Sequence, residues 1–220
     1  MFRNRQDAGR QLGERLTHLK DQHPIVLALP RGGVPVGLEV ARALAAPLDL
    51  LLVRKIGAPG QEELAVGAIS DGSDTQLVTD PSLISALAIS ADYLEQARIA
   101  ALQEIDRRRT LYLGDRQPLP VTGCTVIVVD DGIATGATMR AALRSVRRRD
   151  PARLVLAVPV SPPKLVRQMR KDADEVVCLH TTSDFMAVGQ FYADFRQLRD
   201  DEVTEMLEEA RRFAQGNRLS

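Results

Sequence analysis

The chain has 220 residues, of which 45% are hydrophobic and 26% are charged, a balance typical of a globular domain with a sizeable core. Its 29 Lys and Arg residues match 29 Asp and Glu residues, so the net charge gives no global signal for nucleic acid or an anionic membrane. No window approaches the roughly 20 apolar residues of a membrane span, and the N-terminus has no apolar signal core. We therefore expect a single cytoplasmic domain over residues 1–220.

Strands and helices alternate along most of the chain. Apolar residues at helical spacing predict a first helix over 5–20, and short continuous apolar runs predict buried strands. The predicted strands are 25–29, 48–53, 124–129, 153–158 and 175–179. The predicted helices that alternate with them are 34–45, 137–149, 162–171 and 200–214. This alternation predicts an α/β fold built on a doubly wound, mainly parallel sheet.

Residues 60–118 interrupt the alternation. Two short apolar runs on either side of the turn-forming residues 71–74 predict a hairpin, and the pattern over 91–112 predicts a long helix. We expect an insertion at the carboxyl ends of the strands, where open α/β sheets bind ligands. The Gly- and Pro-containing stretch 54–63 is predicted to be a loop. The loop over 57–67 could close over the site as a lid, or remain an exposed connection.

The stretch Val126–Thr138, VIVVDDGIATGAT, places Asp130 and Asp131 at the end of an apolar strand, before small residues. The helix that follows presents unpaired N–H groups and a positive dipole end, which favour a phosphate. Small side chains let the backbone approach the anion, and Thr135 and Thr138 add hydroxyl donors. The carboxylates would repel a phosphate but accept hydrogen bonds from vicinal sugar hydroxyls, or share a divalent cation with them. For the DDG triplet alone, a simple surface turn is the alternative.

The same stretch closely resembles the phosphoribosyl pyrophosphate (PRPP) motif of the type I phosphoribosyltransferases. By this resemblance, Asp130 and Asp131 contact the ribose 2- and 3-hydroxyls and hold Mg²⁺. The loop that binds the 5-phosphate corresponds to Gly132, Ile133, Ala134, Thr135, Gly136, Ala137 and Thr138. The resemblance implies a Mg-dependent phosphoribosyltransferase, in which a nitrogenous acceptor, such as a nucleobase, displaces pyrophosphate from PRPP.

Two further stretches resemble parts of this family. LALPRGGVPVGLEVA is similar to its first strand and pyrophosphate loop, here Pro30, Arg31, Gly32 and Gly33, and LLVRKIG is similar to its second strand. Glycine amides can form an anion nest, and Arg31 can clamp a diphosphate. Arg31, Arg54 and Lys55 are therefore candidates for easing the charge of the departing pyrophosphate, with solvated charges as the alternative. The strings RKIGAPGQEELAVGAISDG and VGQFYADFRQLRDDEV resemble one uncharacterised bacterial subgroup, which implies no particular substrate.

Residues 180–220 are expected, from the family, to form a hood over the acceptor and a C-terminal helix. The candidate acceptor contacts are Phe185, Phe191 and Tyr192, by ring stacking, and Asp194, by hydrogen bonding. Packing of these rings within the C-terminal segment is the alternative. Ala134 stands where purine-salvage members carry an acid, which argues against classical hypoxanthine-guanine specificity. The acceptor is thus an unidentified small molecule, and a homodimer is expected from the family alone.

Two arginine runs, Arg107–Arg109 and Arg147–Arg149, follow helical stretches. Positive charge is favoured at a helix C-terminus, which suffices to explain the first run, although a contact with a substrate phosphate is the sharper alternative. The second run is predicted to be a solvated face on the far side of the sheet.

For the enzyme we expect no membrane or nucleic-acid partner. The runs nevertheless motivate a second hypothesis, a PRPP- or nucleotide-binding regulator that acts on RNA, and a sugar-phosphate hydrolase is a third.

Overall fold

A computed structural model of the protein describes residues 1–71 and 77–216, without the side chains of residues 62, 63, 215 and 216. The strands in these ranges are, in chain order, β1 (Ile25–Ala28), β2 (Leu48–Leu50), β3 (Val53–Ala58), β4 (Gln61–Ser70), β5 (Val78–Thr79), β6 (Thr125–Val129), β7 (Arg153–Ser161) and β8 (Glu175–Thr181). The central sheet has the order β2-β1-β6-β7-β8, and all of its pairs are parallel. This confirms the predicted α/β fold with a parallel sheet.

The α-helices of the described residues are α1 (Arg5–Arg15), α2 (Gly33–Leu44), α3 (Pro81–Ala86), α4 (Ala91–Leu113), α5 (Ala137–Arg147), α6 (Pro163–Met169) and α7 (Asp200–Gly216). The predicted first helix was too long, because α1 ends at Arg15 and a 3₁₀ turn covers Thr17–Gln22. The side chain of Asn4 caps α1 by accepting a hydrogen bond from the Asp7 amide. Within residues 1–71 and 77–216, no helix is both long and apolar enough to cross a membrane.

Helices cover both faces of the central sheet. On one face, α1 and α2 pack on alternate strand residues such as Val26 and Ile127, all of them buried. On the other face, α5 and α6 pack on the intervening residues, such as Leu27 and Val128. Because successive strand residues point to opposite faces, this arrangement explains why the strands are apolar throughout. The core therefore consists of two apolar layers separated by the sheet.

The insertion forms a separate antiparallel sheet of order β3-β4-β5, followed by α3 and the long α4. The predicted hairpin is present as the antiparallel pair β4 and β5, in which Gly67 lies opposite Thr79. The predicted turn between these strands falls mostly at residues 72–74, outside the described residues. The predicted helix over 91–112 agrees with α4, whose first turn is capped by the Ser90 hydroxyl.

The predicted loop over 54–63 was wrong. Residues Val53–Ala58 and Gln61–Ser70 are antiparallel partners, and Gly60, with φ of +72°, lies in the tight turn between them. The Gly and Pro residues of this stretch indicate only the turn, and not a loop over its whole length. The strand itself forms because Ile56 and Ala58 are buried in an apolar cluster of the insertion. Arg54 and Lys55 consequently lie inside β3, and not at the end of a strand of the central sheet.

Asp71 connects the insertion to the central sheet. Its amide donates to the Leu52 carbonyl at 2.9 Å, and its Oδ1 accepts from the Leu52 amide at 2.9 Å. Its Oδ2 lies 3.1 Å from Nη1 of Arg109 on α4. Burial raises the pKa of Asp71 to about 6, against the opposing effect of the Leu52 amide and the Arg109 charge. One buried carboxylate thus ties β4, α4 and the segment after β2 together.

The arginine runs are paired within the chain. Arg107–Arg109 lie one turn before the end of α4, whose last turn has no basic residue, so the predicted interaction with the helix dipole was wrong. Arg107 and Arg108 instead donate to Glu104. The second run begins at the end of α5, near the start of β6, on the side of the sheet predicted for it. There Arg147 donates to Asp174, and Arg149 donates to the Leu119 carbonyl.

Helix α1 approaches α2 closely at Gly9. A Cβ atom placed on Gly9 would lie 2.8 Å from the Val36 carbonyl oxygen and 2.9 Å from Cβ of Glu39. The neighbouring atoms are backbone or Cβ atoms and cannot move aside cheaply. This contact sets the position of α1, and therefore of the residues at its N-terminus.

We predict that Gly9→Ala destabilises the protein by about 1–3 kcal/mol because of this clash. Helix propensity alone would give the opposite sign, a gain of roughly 1 kcal/mol. Chemical denaturation measures the free energy of unfolding, with Glu14→Ala at an exposed position of the same helix as the control. A Gly9→Ala protein that is more stable than the wild type would contradict the predicted close contact.

Candidate functional site

The predicted pyrophosphate loop and the twin acids lie side by side at the carboxyl ends of two neighbouring strands. Strand β1 pairs with β6, and the Leu29 amide extends this ladder by donating to the Val129 carbonyl at 3.0 Å. A Cβ atom on Gly33 would lie 2.8 Å from that same carbonyl oxygen. This close approach requires glycine where the loop crosses the end of β6. The peptide bond between Pro30 and Arg31, in the same loop, is cis.

Asp131 is held by a residue that the sequence did not predict. Nε of Arg5, at the start of α1, donates to Oδ2 of Asp131 at 2.8 Å. The two side chains are only 10% and 13% exposed. A Cβ atom on Gly32 would overlap the same Oδ2. No motif could have revealed Arg5, because it is 126 positions from Asp131 in the sequence and carries no special spacing.

The two acids carry an electrostatic cost because they are buried side by side. Burial raises the pKa of Asp130 well above its usual value, and the negative charge of Asp131 raises it further. Burial also raises the pKa of Asp131, although the hydrogen bond and the charge of Arg5 oppose this. The single positive charge of Arg5 thus offsets the negative charge of two neighbouring carboxylates. Hydroxyl donors or a cation would stabilise the pair.

The predicted phosphate loop leads from Asp131 into the first turn of α5. Gly136 adopts a left-handed conformation with φ of +81°, and the helix begins at Ala137 without a side-chain cap. Thr135 and Thr138 lie at this end of the helix, and Thr135 is exposed. The amide of Ile133 donates to the Val160 carbonyl at 3.0 Å and is therefore not available to a ligand. The amides closer to the helix start are therefore the candidates for binding an anion.

Basic side chains surround the far side of this loop. Arg54, Lys55 and Thr138 line a cavity of about 460 Å³ between β3 and α5. Arg54 and Thr138 also line a smaller adjoining cavity with Pro30 and with Arg108 of α4. The structure therefore brings Arg54 and Lys55, which were predicted to follow the second strand, close to the end of the phosphate loop. It also adds Arg108, which belongs to the first arginine run.

Arg31 points towards the C-terminal helix. Its Nη1 lies 3.7 Å from Oδ1 of Asp200, the first residue of α7. The same Asp200 carboxylate accepts a hydrogen bond from the Tyr112 hydroxyl. Arg31 is about one-third exposed, so this weak ion pair leaves it free to exchange partners for an anionic ligand.

The hood residues are packed together. The rings of Phe185 and Phe191 lie 5.3 Å apart, and Tyr192 is 5% exposed between Phe2 and Phe195. The Tyr192 hydroxyl donates to the Asp131 carbonyl at 2.6 Å. The ring of Tyr192 is therefore committed to packing in this structure, and the hood is joined directly to the acids.

The hood also contacts the phosphate loop, at Gly132, and carries the exposed Asp194. Asp194 is exposed and accepts from the Arg196 amide at 3.2 Å. A Cβ atom on Gly132 would lie 2.7 Å from side-chain carbons of both Val160 and Val188. Because Val188 belongs to the hood, the hood contacts the phosphate loop beside the acids. Glycine at position 132 permits this approach.

The donor atoms fit a metal ion shared with a ligand better than a metal site made by the protein alone. Among the described residues, no group of three or more His, Cys, Asp or Glu side chains could hold a metal ion. Asp130 and Asp131 supply carboxylate oxygens at one point, which suits Mg²⁺ because it commonly binds one or two carboxylates together with substrate phosphates and waters.

The chain is similar to known proteins over most of its length. Residues 4–196 match the family model described as the phosphoribosyl transferase domain. The chain belongs to this family. It is 45% identical, over all 220 residues, to proteins of two Mycobacterium tuberculosis strains that are assigned by name to the phosphoribosyl transferases. The chain spans about half (49%) of the length of these relatives.

A solved structure of the same fold is also similar. The crystal structure of TT1426 from Thermus thermophilus superimposes with a TM-score of 0.86 and is 42% identical. The match covers 95% of this chain and 98% of the other. The phosphoribosyl transferase fold, including the inserted elements, is therefore shared over nearly the whole length of both chains.

We predict that Gly32→Ala weakens the binding of Mg-PRPP by at least about tenfold, or roughly 1.4 kcal/mol. The added Cβ would displace the Asp131 carboxylate. Isothermal titration calorimetry measures the affinity. Gly37→Ala is the matched control, because it crowds Ala28 and Leu48 from the same helix without touching the acid. Equal losses of affinity in both variants would show that packing damage, and not displacement of Asp131, causes the effect.

Proposed function

We propose that this phosphoribosyl transferase domain catalyses the displacement of pyrophosphate from Mg-PRPP by a nitrogenous small molecule. The observation that supports the proposal most strongly is the placement of three features at one edge of the sheet. These are the twin acids after β6, the first turn of α5 beside them, and the glycine loop after β1. A diol, a monophosphate and a diphosphate on one pentose match these three features in order.

Asp130 and Asp131 accept hydrogen bonds from the ribose hydroxyls in this proposal. The amides at the start of α5, with Thr135 and Thr138, bind the 5-phosphate. Bound Mg²⁺ would be held by the two acids together with the donor, and it would neutralise diphosphate charge. Arg31, Arg54 and Lys55 stabilise the negative charge that grows on the leaving pyrophosphate, so their contribution increases as the bond breaks.

The acceptor enters from the hood side in this proposal. The hood contacts the phosphate loop at Gly132 and the acids through the Tyr192 hydroxyl, so it borders the ribose end of the site. Ala134, which is exposed, supplies no acid or base to the acceptor. The acceptor is therefore activated by another group or reacts without losing a proton first.

The regulator hypothesis rested on the two arginine runs, and the structure weakens that argument. Each of the six arginines interacts with another group of the chain, so the runs do not form one free basic surface. Retention on heparin or RNA at moderate salt separates the hypotheses. Steeply salt-dependent retention would favour the regulator.

We predict that Asp131→Asn weakens the binding of Mg-PRPP by roughly 10- to 100-fold, because hydrogen bonds to a charged group contribute about 1.5–3 kcal/mol. Calorimetry with the folded variant measures this loss. Asp150→Asn is the control, since Asp150 is exposed after the far end of α5, and Asn tolerates its left-handed backbone. Unchanged affinity in Asp131→Asn would contradict the assigned role.

A panel of nucleobases and small amines tests the reaction itself. With Mg-PRPP, we expect pyrophosphate release that depends on one class of acceptor, because the hood borders the reacting carbon. Asp131→Asn should lower the rate of this release. Release at the same rate without any acceptor would instead identify a hydrolase, and binding without release would favour the regulator.

A further inference from the structure

Arg5 joins three separate parts of the chain at the proposed ribose site. It begins α1, and its Nε donates to Oδ2 of Asp131 at 2.8 Å. Its Nη1 donates to the Arg196 carbonyl at 2.9 Å. Its guanidinium carbon lies 3.8 Å from the centre of the Phe195 ring. The side chain is 10% exposed, so its position is fixed by these contacts and not by solvent.

The hydrogen bond from Arg5 uses only one of the two carboxylate oxygens of Asp131. Oδ2 lies between Arg5 and the backbone of Gly32, where not even a methyl group would fit. Among the residues that the structure describes, no side chain donates a hydrogen bond to Oδ1. A carboxylate that is fixed through one oxygen presents the other in a defined direction, which lowers the cost of ordering when a ligand hydroxyl binds.

The hood is also held against Arg5 and Asp131. Phe195, on which Arg5 stacks, also stacks on Tyr192 with ring centres 5.0 Å apart. The Tyr192 hydroxyl donates to the backbone carbonyl of Asp131. The acid is therefore held at its carboxylate by Arg5 and at its backbone by the hood. Movement of the hood and movement of the acid are mechanically linked through these contacts.

We propose that Arg5 is a positioning residue of the donor site: it fixes the Asp131 carboxylate against Gly32, leaves Oδ1 for a ribose hydroxyl, and couples the acid to the hood through Phe195. The ribose part of this inference rests on the proposed function. Arg5 itself does not touch the donor. A lysine cannot replace it, because the role requires two directed N–H bonds and a flat surface for the ring at the same time.

The first test measures affinity for Mg-PRPP by calorimetry in Arg5→Gln and Arg5→Lys, with thermal unfolding of each variant. We expect both variants to lose about tenfold in affinity, the lysine variant included, because charge alone does not orient the carboxylate. Arg3→Gln is the matched control, since Arg3 is 79% exposed two residues away. Wild-type affinity in Arg5→Gln would overturn the proposal.

A double-mutant cycle with Asp131→Asn separates positioning from general damage to the fold. If Arg5 acts through Asp131, Arg5→Gln should cause little further loss of affinity in the Asp131→Asn background. Fully additive losses would overturn the proposal, because they would show that Arg5 acts on the ligand or on the fold independently of Asp131.

Crystal structures of the wild type and Arg5→Gln provide a test that does not depend on PRPP. We expect the Asp131 side chain to rotate away from Gly32, and the Phe195 ring to shift, in the variant. An Asp131 carboxylate that keeps its wild-type position would overturn the inference, even if PRPP binds. Failure of the wild type to bind Mg-PRPP would contradict the proposed function, while a rotated Asp131 would still support the positioning role of Arg5.

Discussion

The parallel pairing of β1 with β6 is the constraint on which the site depends. Because the two strands are neighbours, the glycines after β1 must cross the acids after β6 within van der Waals distance. Gly32 and Gly33 meet this requirement only because they have no side chains. The same pairing brings the start of α2 beside the acids and α5 just beyond them. A glycine loop, a pair of carboxylates and a helix N-terminus are thus held within one small volume.

Charge in this volume is balanced by residues from the periphery of the fold. Arg5 reaches Asp131 from α1, and Asp200 reaches Arg31 from α7. Neither Arg5 nor Asp200 belongs to a loop that is predicted to bind the donor. The close packing of α1 on α2 at Gly9 places Arg5, so helix packing some distance away determines the orientation of a carboxylate in the site. The N-terminal and C-terminal segments therefore contribute to the site together.

The sequence predicted the parallel sheet, the long helix α4 and the position of the acids, because these depend on local patterns. Apolar runs specify β6, and the string that follows it specifies the turn into α5. The strand β3 was missed because Gly57, Pro59 and Gly60 are typical of a loop, and this local signal outweighed the apolar residues Ile56 and Ala58. Arg5 was missed for a different reason. Its role arises only when α1 packs on α2, β7 and β8, and no spacing within the chain encodes that arrangement.

A crystal structure of the protein soaked with Mg-PRPP tests the proposed donor site most directly. We expect the 5-phosphate at the first turn of α5, the ribose hydroxyls on Asp130 and Asp131, and the diphosphate beside Gly32 and Gly33. Density for the donor at another place, or an empty site in crystals that contain saturating donor, would contradict it.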